Sequence, residues 1–354
     1  MNIYLIGVMI SMAIYIAVGT LAGRKVKNVD DYYVAGRRAP TILIVGSLVA
    51  SFLSTGAFLG DTGEVYSGFF MPIVIVGVMQ GTGYLFGATL FGRYVRRSGA
   101  FTLSEYFGKR FKSKKLQKLA GFTTIVAVTA YMLSAIQGIS TLMSSITGLS
   151  YSFCVIIAWV SFAVFTVWSG SSGVLITDTI MFLVFLTAAI IGIPFIVKAA
   201  GGWIPAIQNL ALSTTKPGII SAGGNLEYLY PTGAENITWA VTYGIVWALV
   251  VMISPWQTSR YLMAKDEKTV LKSAVVVICT CYYDYNTALL LGCICSEHKP
   301  GFGSFTEHYL GCNESDAKIG RRCSADWNPC SRYFERIHLF VTDWILNYKR
   351  FDES

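Results

Sequence analysis

The stretch SSGVLITDTIMFLVFLTAAIIGIPFIV, residues 171–197, decides the reading of the whole chain. It is long and apolar enough to cross a bilayer, since ~30 Å of hydrocarbon takes about 20 residues of helix. It also carries one carboxylate, Asp178, near its start. A charge at bilayer depth costs roughly 2.5–3.5 kcal/mol on insertion scales, so an acid inside a spanning segment is a functional candidate. A structural role competes with that reading. About one turn into a helix the dipole favours a carboxylate, and Thr177 and Ser172 would then supply capping groups.

Working outward, the same texture fills most of the chain. Of 354 residues, 54% are hydrophobic and 14% charged, which is too apolar for a soluble protein of this length and predicts an all-α polytopic membrane protein. Apolar windows stand at 3–22, 41–60, 71–92, 120–146, 151–169, 174–199 and 236–255, and an eighth begins near 270 and degrades. The first window has no basic residue before it and no small-residue cleavage site, so it is expected to stay as a helix.

Basic residues set the expected orientation, because Lys and Arg in short loops are retained in the cytosol. Residues 23–40 hold five (Arg24, Lys25, Lys27, Arg37, Arg38), 93–119 hold nine and 256–272 hold four. The alternate connections are nearly free of them. The pattern places the N-terminus outside a plasma-membrane protein. It also accounts for the net charge of +8 without a nucleic-acid partner, and the run KRFKSKKLQK (109–118) reads as a cytosolic anchor facing anionic lipid.

The chain changes character near 279. Before that point there is one cysteine, Cys154, and no histidine; after it come seven cysteines and all three histidines. Cys279, Cys281, Cys293, Cys295 and His298 could form a metal or redox module, but C-x-C pairs lack the usual zinc-ligand spacing. A shifted reading frame is the other account. Read one nucleotide later, the codons of CYYDYN (281–286) give only Ala, Val, Thr, Ile or Met whatever their wobble bases, which restores an apolar helix. On that expectation residues 279–354 are an aberrant tail.

Several features carry chemistry. Ser47, Ser51, Ser54, Thr55 and Gly56 gather in the second window, either as a close-packing face with Gly60 or at a broken helix whose freed carbonyls bind a cation. Gly77, Gly81, Gly83 and Gly87 mark packing faces, and Gln80 and Gln137 are polar groups at membrane depth. Pro255 removes a backbone donor and predicts a helix end or kink, with Trp256 beside it as an interfacial aromatic.

In order along the chain, DYYVAGRR (31–38), GSSGVLITDTIMF (170–182) and PWQTSRYLMAKDEKTVLKSA (255–274) resemble the sodium:solute symporter family. The resemblance covers residues 1 to about 278. It implies a core of two inverted five-helix repeats after an extra first helix: 1–40 would hold that helix and a cytosolic loop, 41–199 the first repeat, 200–235 an extracellular loop, and 236–278 the start of an incomplete second repeat. It further implies Na+ as the coupling ion, held by the carbonyls of Ala50 and Leu53 with Asp178 near the site and its cytosolic exit. Ser54, Thr55, Gly56, Trp247 and Pro255 fall at substrate-binding or gating positions, and the Trp247 and Pro255 spacing is similar to that of the proline and pantothenate branches.

The family's paired Ser/Thr hydroxyls for the same ion belong to a helix beyond this sequence. The expectation is therefore a sodium-coupled symporter of a small organic solute, such as an amino acid or pantothenate, truncated and impaired, in contact with solute, sodium and lipid. The alternative is a non-transporting membrane fragment that associates with an intact symporter. An enzyme is disfavoured, since no His precedes 298 and no paired carboxylates occur within the membrane windows.

Overall fold

The computed structural model describes residues 3–24, 26–54, 60–214, 217–225 and 232–297. These fall in the first of two units, Met1–Gly301; the second, Phe302–Ser354, lies outside the described residues. Five helical stretches are long and apolar enough to cross a membrane: Ile6–Gly23, Phe70–Arg97, Lys114–Ser145, Ser169–Ile191 and Gly233–Met263. Two more windows appear as shorter apolar helices, Thr41–Phe52 and Tyr151–Val167.

The elements follow in order. Helix α1 is Ile3–Gly23, α2 Val29–Val34, α3 Thr41–Phe52 and α4 Thr62–Ser67. Helix α5 (Phe70–Phe86) passes through a π-helical stretch, Gly87–Gly92, into α6 (Arg93–Arg97). Then come α7 (Leu103–Arg110), α8 (Lys114–Thr147), α9 (Tyr151–Ala199), α10 (Trp203–Ala211), α11 (Gly233–Ile253), α12 (Pro255–Met263) and α13 (Glu267–Glu297).

Local chemistry sets the boundaries. Ser113 caps α8 by accepting the Leu116 N–H, and Gly148 closes it at φ 73°. The segment α9 folds back at Gly170, whose φ of 57° with ψ −177° is open only to glycine. The apolar windows at 151–169 and 174–199 are its two arms. Ser171 Oγ donates to Tyr33 O at 2.7 Å and ties this corner to α2.

Burial is arranged as a bilayer demands. Phe122, Ile125 and Val167, each about two-thirds exposed, point outward, while Ser47, Thr177, Gln257 and Thr258 are buried. An apolar surface of that extent is costly in water and without cost in hydrocarbon. Inside, helices meet where side chains are small. The Ala248 backbone occupies the space a Cβ on Gly83 would take, and Gly87 faces Met252, so α5 and α11 lie against each other. Among the described residues nothing lies within 4 Å of a Cβ placed on Gly81 or Gly60, and Gly56 lies outside them.

The three basic loops converge at one end. The Ala39 N–H donates to Met263 O at 3.2 Å and the Lys265 N–H to Ala39 O at 3.0 Å, an isolated parallel bridge. Arg96 Nη2 donates to Lys265 O at 2.9 Å, Arg97 forms a bidentate pair with Glu267 at 2.8 and 2.9 Å, and Arg37 Nη2 donates to Gly99 O at 2.8 Å. Arg97 is the first reason the Glu267 carboxyl titrates below its ordinary value; the Asp266 carboxyl is lowered first by the Thr269 N–H.

The eighth apolar window does not stop at 279. Helix α13 continues through Cys279, which is exposed, and Cys281, which is buried, to Glu297. The reason is local: no Gly or Pro interrupts 267–291, and Thr287–Gly292 restores an apolar run after the tyrosines.

Candidate functional site

Helix α3 has twelve residues, about 18 Å at 1.5 Å per residue, and stops short of the far side of a bilayer. Its last regular bond runs from the Leu53 N–H to Val49 O at 2.9 Å. The next amide, Ser54 N–H, turns back to Phe52 O at 2.7 Å, with Leu53 at φ −72° and ψ 53°. That is an inverse γ-turn. A continuing helix would have given this amide to Ala50 O, so the turn releases the Ala50 carbonyl from the ladder. Within a bundle such a group needs a partner, and a cation is one that suits a carbonyl oxygen. Thr55 and Gly56 lie outside the described residues, so their placement enters no geometry here.

The turn has an aromatic wall. Tyr131 on α8 pairs through its hydroxyl with Ser54, and its ring stacks on Trp256 with centroids 4.5 Å apart and planes 2° apart. Trp256 is half-buried and stacks on a neighbouring helix, a contact its place beside Pro255 did not announce. The stack joins α3, α8 and α12 beside the turn.

A second break lies in the next pair of helices. Ser254, at φ −59° and ψ 142°, closes α11, and Pro255 opens α12 at its first position. Proline suits that place because the first helical amides have no partner anyway. The break sits one nine-residue helix, about 13 Å, from the basic end. Trp247 does not join Pro255. It belongs to an aromatic column higher on α11, where Phe69, Trp239, Tyr243 and Trp247 follow with centroid spacings of 5.8, 5.1 and 6.1 Å.

Asp178 draws in two side chains from other elements. Ser47 Oγ on α3 donates to Asp178 Oδ2 at 2.5 Å, and Arg260 Nη2 on α12 reaches the same oxygen at 3.2 Å. Arg260 Nε donates to Ser47 Oγ at 2.9 Å and Nη1 to Trp256 O at 2.6 Å. The capping account of Asp178 does not hold. Thr177 Oγ1 bonds the Gly173 carbonyl behind it, and the carboxylate serves a contact between elements, two turns beyond the fold at Gly170. Ser51 Oγ donates to Ser47 O at 2.8 Å, which links this cluster to the turn that frees Ala50.

Asp178, Ser47 and Arg260 thus lie nearly two turns toward the basic end from the Leu53 break, about 9 Å along α3, forming a charge-neutral plug between three helices. Ser47 stood in the sequence as one of several hydroxyls. Arg260 stood only as a loop cation; its signal was its place one turn after Pro255 at membrane depth. Gln80 is buried, whereas Gln137 is exposed. Among the described residues no three His, Cys, Asp or Glu side chains gather as a metal site, and His298 and the side chains of Cys293 and Cys295 lie outside them.

Comparison with known proteins adds to this geometry. The profile described as Sodium:solute symporter family matches residues 32–312. A sodium/pantothenate symporter of Escherichia coli (strain K12) is 24% identical over 251 residues, covering 70% of this chain and 50% of that protein. A sodium/proline symporter of the same strain is 27% identical over 199 residues, 54% of this chain and 40% of that protein. An uncharacterised symporter, YodF, of Bacillus subtilis (strain 168) is 26% identical over 290 residues, 78% and 54% of the two chains. The chain spans about half the length of the curated relatives it matches. Among solved structures, a Na+-coupled sialic acid symporter in a substrate-bound, outward-open state has a TM-score of 0.68 at 15% identity, with 85% of this chain and 62% of that chain covered. That likeness concerns the fold.

Proposed function

The chain belongs to the sodium:solute symporter family, and from that premise we propose that the protein carries out sodium-coupled symport of a small organic solute across the plasma membrane. The observation that carries the reading is the Leu53 turn, which withdraws an amide from Ala50 O next to the Ser47, Asp178 and Arg260 cluster. Sodium enters as a co-substrate. The carbonyls of Ala50 and Leu53 supply hard oxygen ligands, and Asp178 supplies the nearby negative charge. Ser54 stands at the turn and Pro255 opens the second broken helix; Thr55, Gly56 and Trp247 remain candidate substrate-binding or gating positions from the sequence.

The plug gives a physical account of coupling. Arg260 neutralises Asp178 when no cation is near, and a sodium ion at the break competes with the guanidinium for the same carboxylate. Sodium occupancy then changes the contacts between α3, α9 and α12. An ion that binds one arrangement better shifts the population toward it, and by linkage it raises the affinity of that arrangement for solute. The convergence of the basic loops supports a cytosolic location for that end and an external N-terminus. Residues 41–199 would form the first five-helix repeat and α11 to α13 the opening of the second. Relatives that carry pantothenate and proline favour a small anion or zwitterion as solute.

The test is uptake of labelled proline and pantothenate by vesicles containing the protein, under an inward sodium gradient. Uptake of one of them is expected to collapse when choline replaces sodium. Equal uptake in both media would overturn the reading.

A further inference from the structure

One face of α12 carries buried oxygens that the site above does not use. Ser254, Gln257 and Tyr261 recur at i, i+3 and i+7 and so stack along one side of the helix. They are 5%, 2% and 0% exposed. Ser254 Oγ, Gln257 Oε1 and Tyr261 OH have no hydrogen-bond partner among the described residues. Three such groups in succession are unusual, because buried polar atoms are nearly always satisfied.

The surroundings define what would satisfy them. Gln257 Nε2 donates to Tyr84 OH at 2.9 Å, and Tyr84 OH donates to Leu48 O at 3.2 Å. The amide is thereby oriented, leaving Oε1 as an acceptor. The Tyr261 ring lies against Gly92, on the π-helical stretch between α5 and α6. Arg260 directs its guanidinium to Ser47, Asp178 and Trp256, so its charge is already engaged. The face therefore offers two hydroxyl donors and one amide acceptor with no charged side chain of its own. That set matches a molecule with two lone pairs and two O–H groups. It does not match an anion, which would meet Gln257 Oε1. Nor does it match a resting site for a cation, because the face lacks a carboxylate such as Asp178 to supply negative charge.

We propose that the Ser254, Gln257 and Tyr261 face of α12 is a binding site for water, forming a hydration track from the break at Ser254 toward the bridge at Ala264. Water accepts from the Tyr261 and Ser254 hydroxyls and donates to Gln257 Oε1. A sodium ion leaving the Leu53 region regains part of its hydration shell along this track. That last role rests on the function proposed above, whereas the presence of the water does not.

Radiolytic hydroxyl-radical footprinting of the full chain in lipid nanodiscs tests it, since radicals form from bound water inside the protein. Tyr261 is expected to be oxidised although fully buried, whereas Phe69, also fully buried, is not. The Q257L variant is expected to lower Tyr261 labelling about fivefold, the occupancy lost with one hydrogen bond. Tyr261 as unreactive as Phe69 would overturn the site. Thermal unfolding of Y261F gives an independent answer. A hydrated hydroxyl makes the variant melt lower, and a dry orphan hydroxyl makes it melt higher, which overturns the proposal. Labelling that is the same in sodium and in potassium keeps the water and overturns its part in sodium release.

Discussion

Removing Arg260 should destabilise the bundle more than removing its carboxylate partner, because the two side chains hold different numbers of other contacts. In R260A, Asp178 keeps only the Ser47 hydroxyl among the described residues; in D178A, Arg260 keeps Ser47 Oγ at 2.9 Å and Trp256 O at 2.6 Å. The pair is 14% and 18% exposed, nearer the buried than the surface case. Surface pairs contribute about 0–1 kcal/mol and breaking a buried pair costs about 3–5 kcal/mol, so a cost of roughly 2–3 kcal/mol follows for R260A. For D178A the cost should be about 1 kcal/mol smaller, the difference of one hydrogen bond. Equilibrium unfolding in mixed micelles, followed by tryptophan fluorescence, gives both values and that of the double variant. The double variant should fall short of the sum by about 1–2 kcal/mol, the mark of groups in one network. Additivity within about 0.5 kcal/mol would show that the plug carries no coupling and would refute the reasoning.

Other outcomes follow from particular contacts. Replacing Gly83 by alanine puts a Cβ into the Ala248 backbone and should destabilise the α5 and α11 contact by about 1–3 kcal/mol, whereas the same change at Gly81, where nothing lies within 4 Å of the added Cβ, should cost far less; melting temperatures of the two variants compare them. Changing Ala39 to proline removes the N–H donated to Met263 O and makes the bond after Arg38 resistant to trypsin, so the cut after Lys265 should be about fivefold faster, the effect of one hydrogen bond; an unchanged rate at Lys265 would count against the bridge as a clasp. The Glu267 carboxyl is depressed in the folded state, so its stabilising effect is fully present above the ordinary value of 4.5 and is lost as pH falls through the lowered folded value. In R97A the acid-side decline of melting temperature attributable to this pair should disappear. A decline of the same slope would assign it elsewhere.

Much of the architecture was legible because the bilayer imposes one requirement on every span, a run of apolar residues. The windows at 120–146 and 236–255 are examples, and both are helical in the structure. The serine and glycine cluster in the second window fitted either a close-packing face or a broken helix, and the structure has a turn at Leu53. Contacts between distant residues were not legible. Tyr131 and Trp256 are separated by a long chain segment, and no local pattern marks them as a stacked pair. Arg260 was hidden by the rule that made its loop useful, since a cation counted for topology is not examined as a partner. Asp178 showed the converse, an acid whose dipole-based explanation was sound locally and lost to a tertiary ion pair. The continuation of α13 past Cys279 had a local cause instead, a change in composition that altered the chemistry of the helix without supplying a residue that stops it.

The central claim is that the Leu53 turn and Asp178 form a site that recognises sodium. Trp256 reports on it, because its ring stacks on Tyr131 and Tyr131 pairs with Ser54 beside the turn. The decisive measurement is a sodium titration of tryptophan fluorescence in lipid nanodiscs at constant ionic strength, with potassium as the comparison. The account predicts a saturable response to sodium alone, absent in W256F and shifted to about tenfold higher sodium in D178A, the effect of losing about 1.4 kcal/mol of binding free energy. Equal responses to sodium and potassium, or a D178A curve that overlays the unmodified protein, would contradict it.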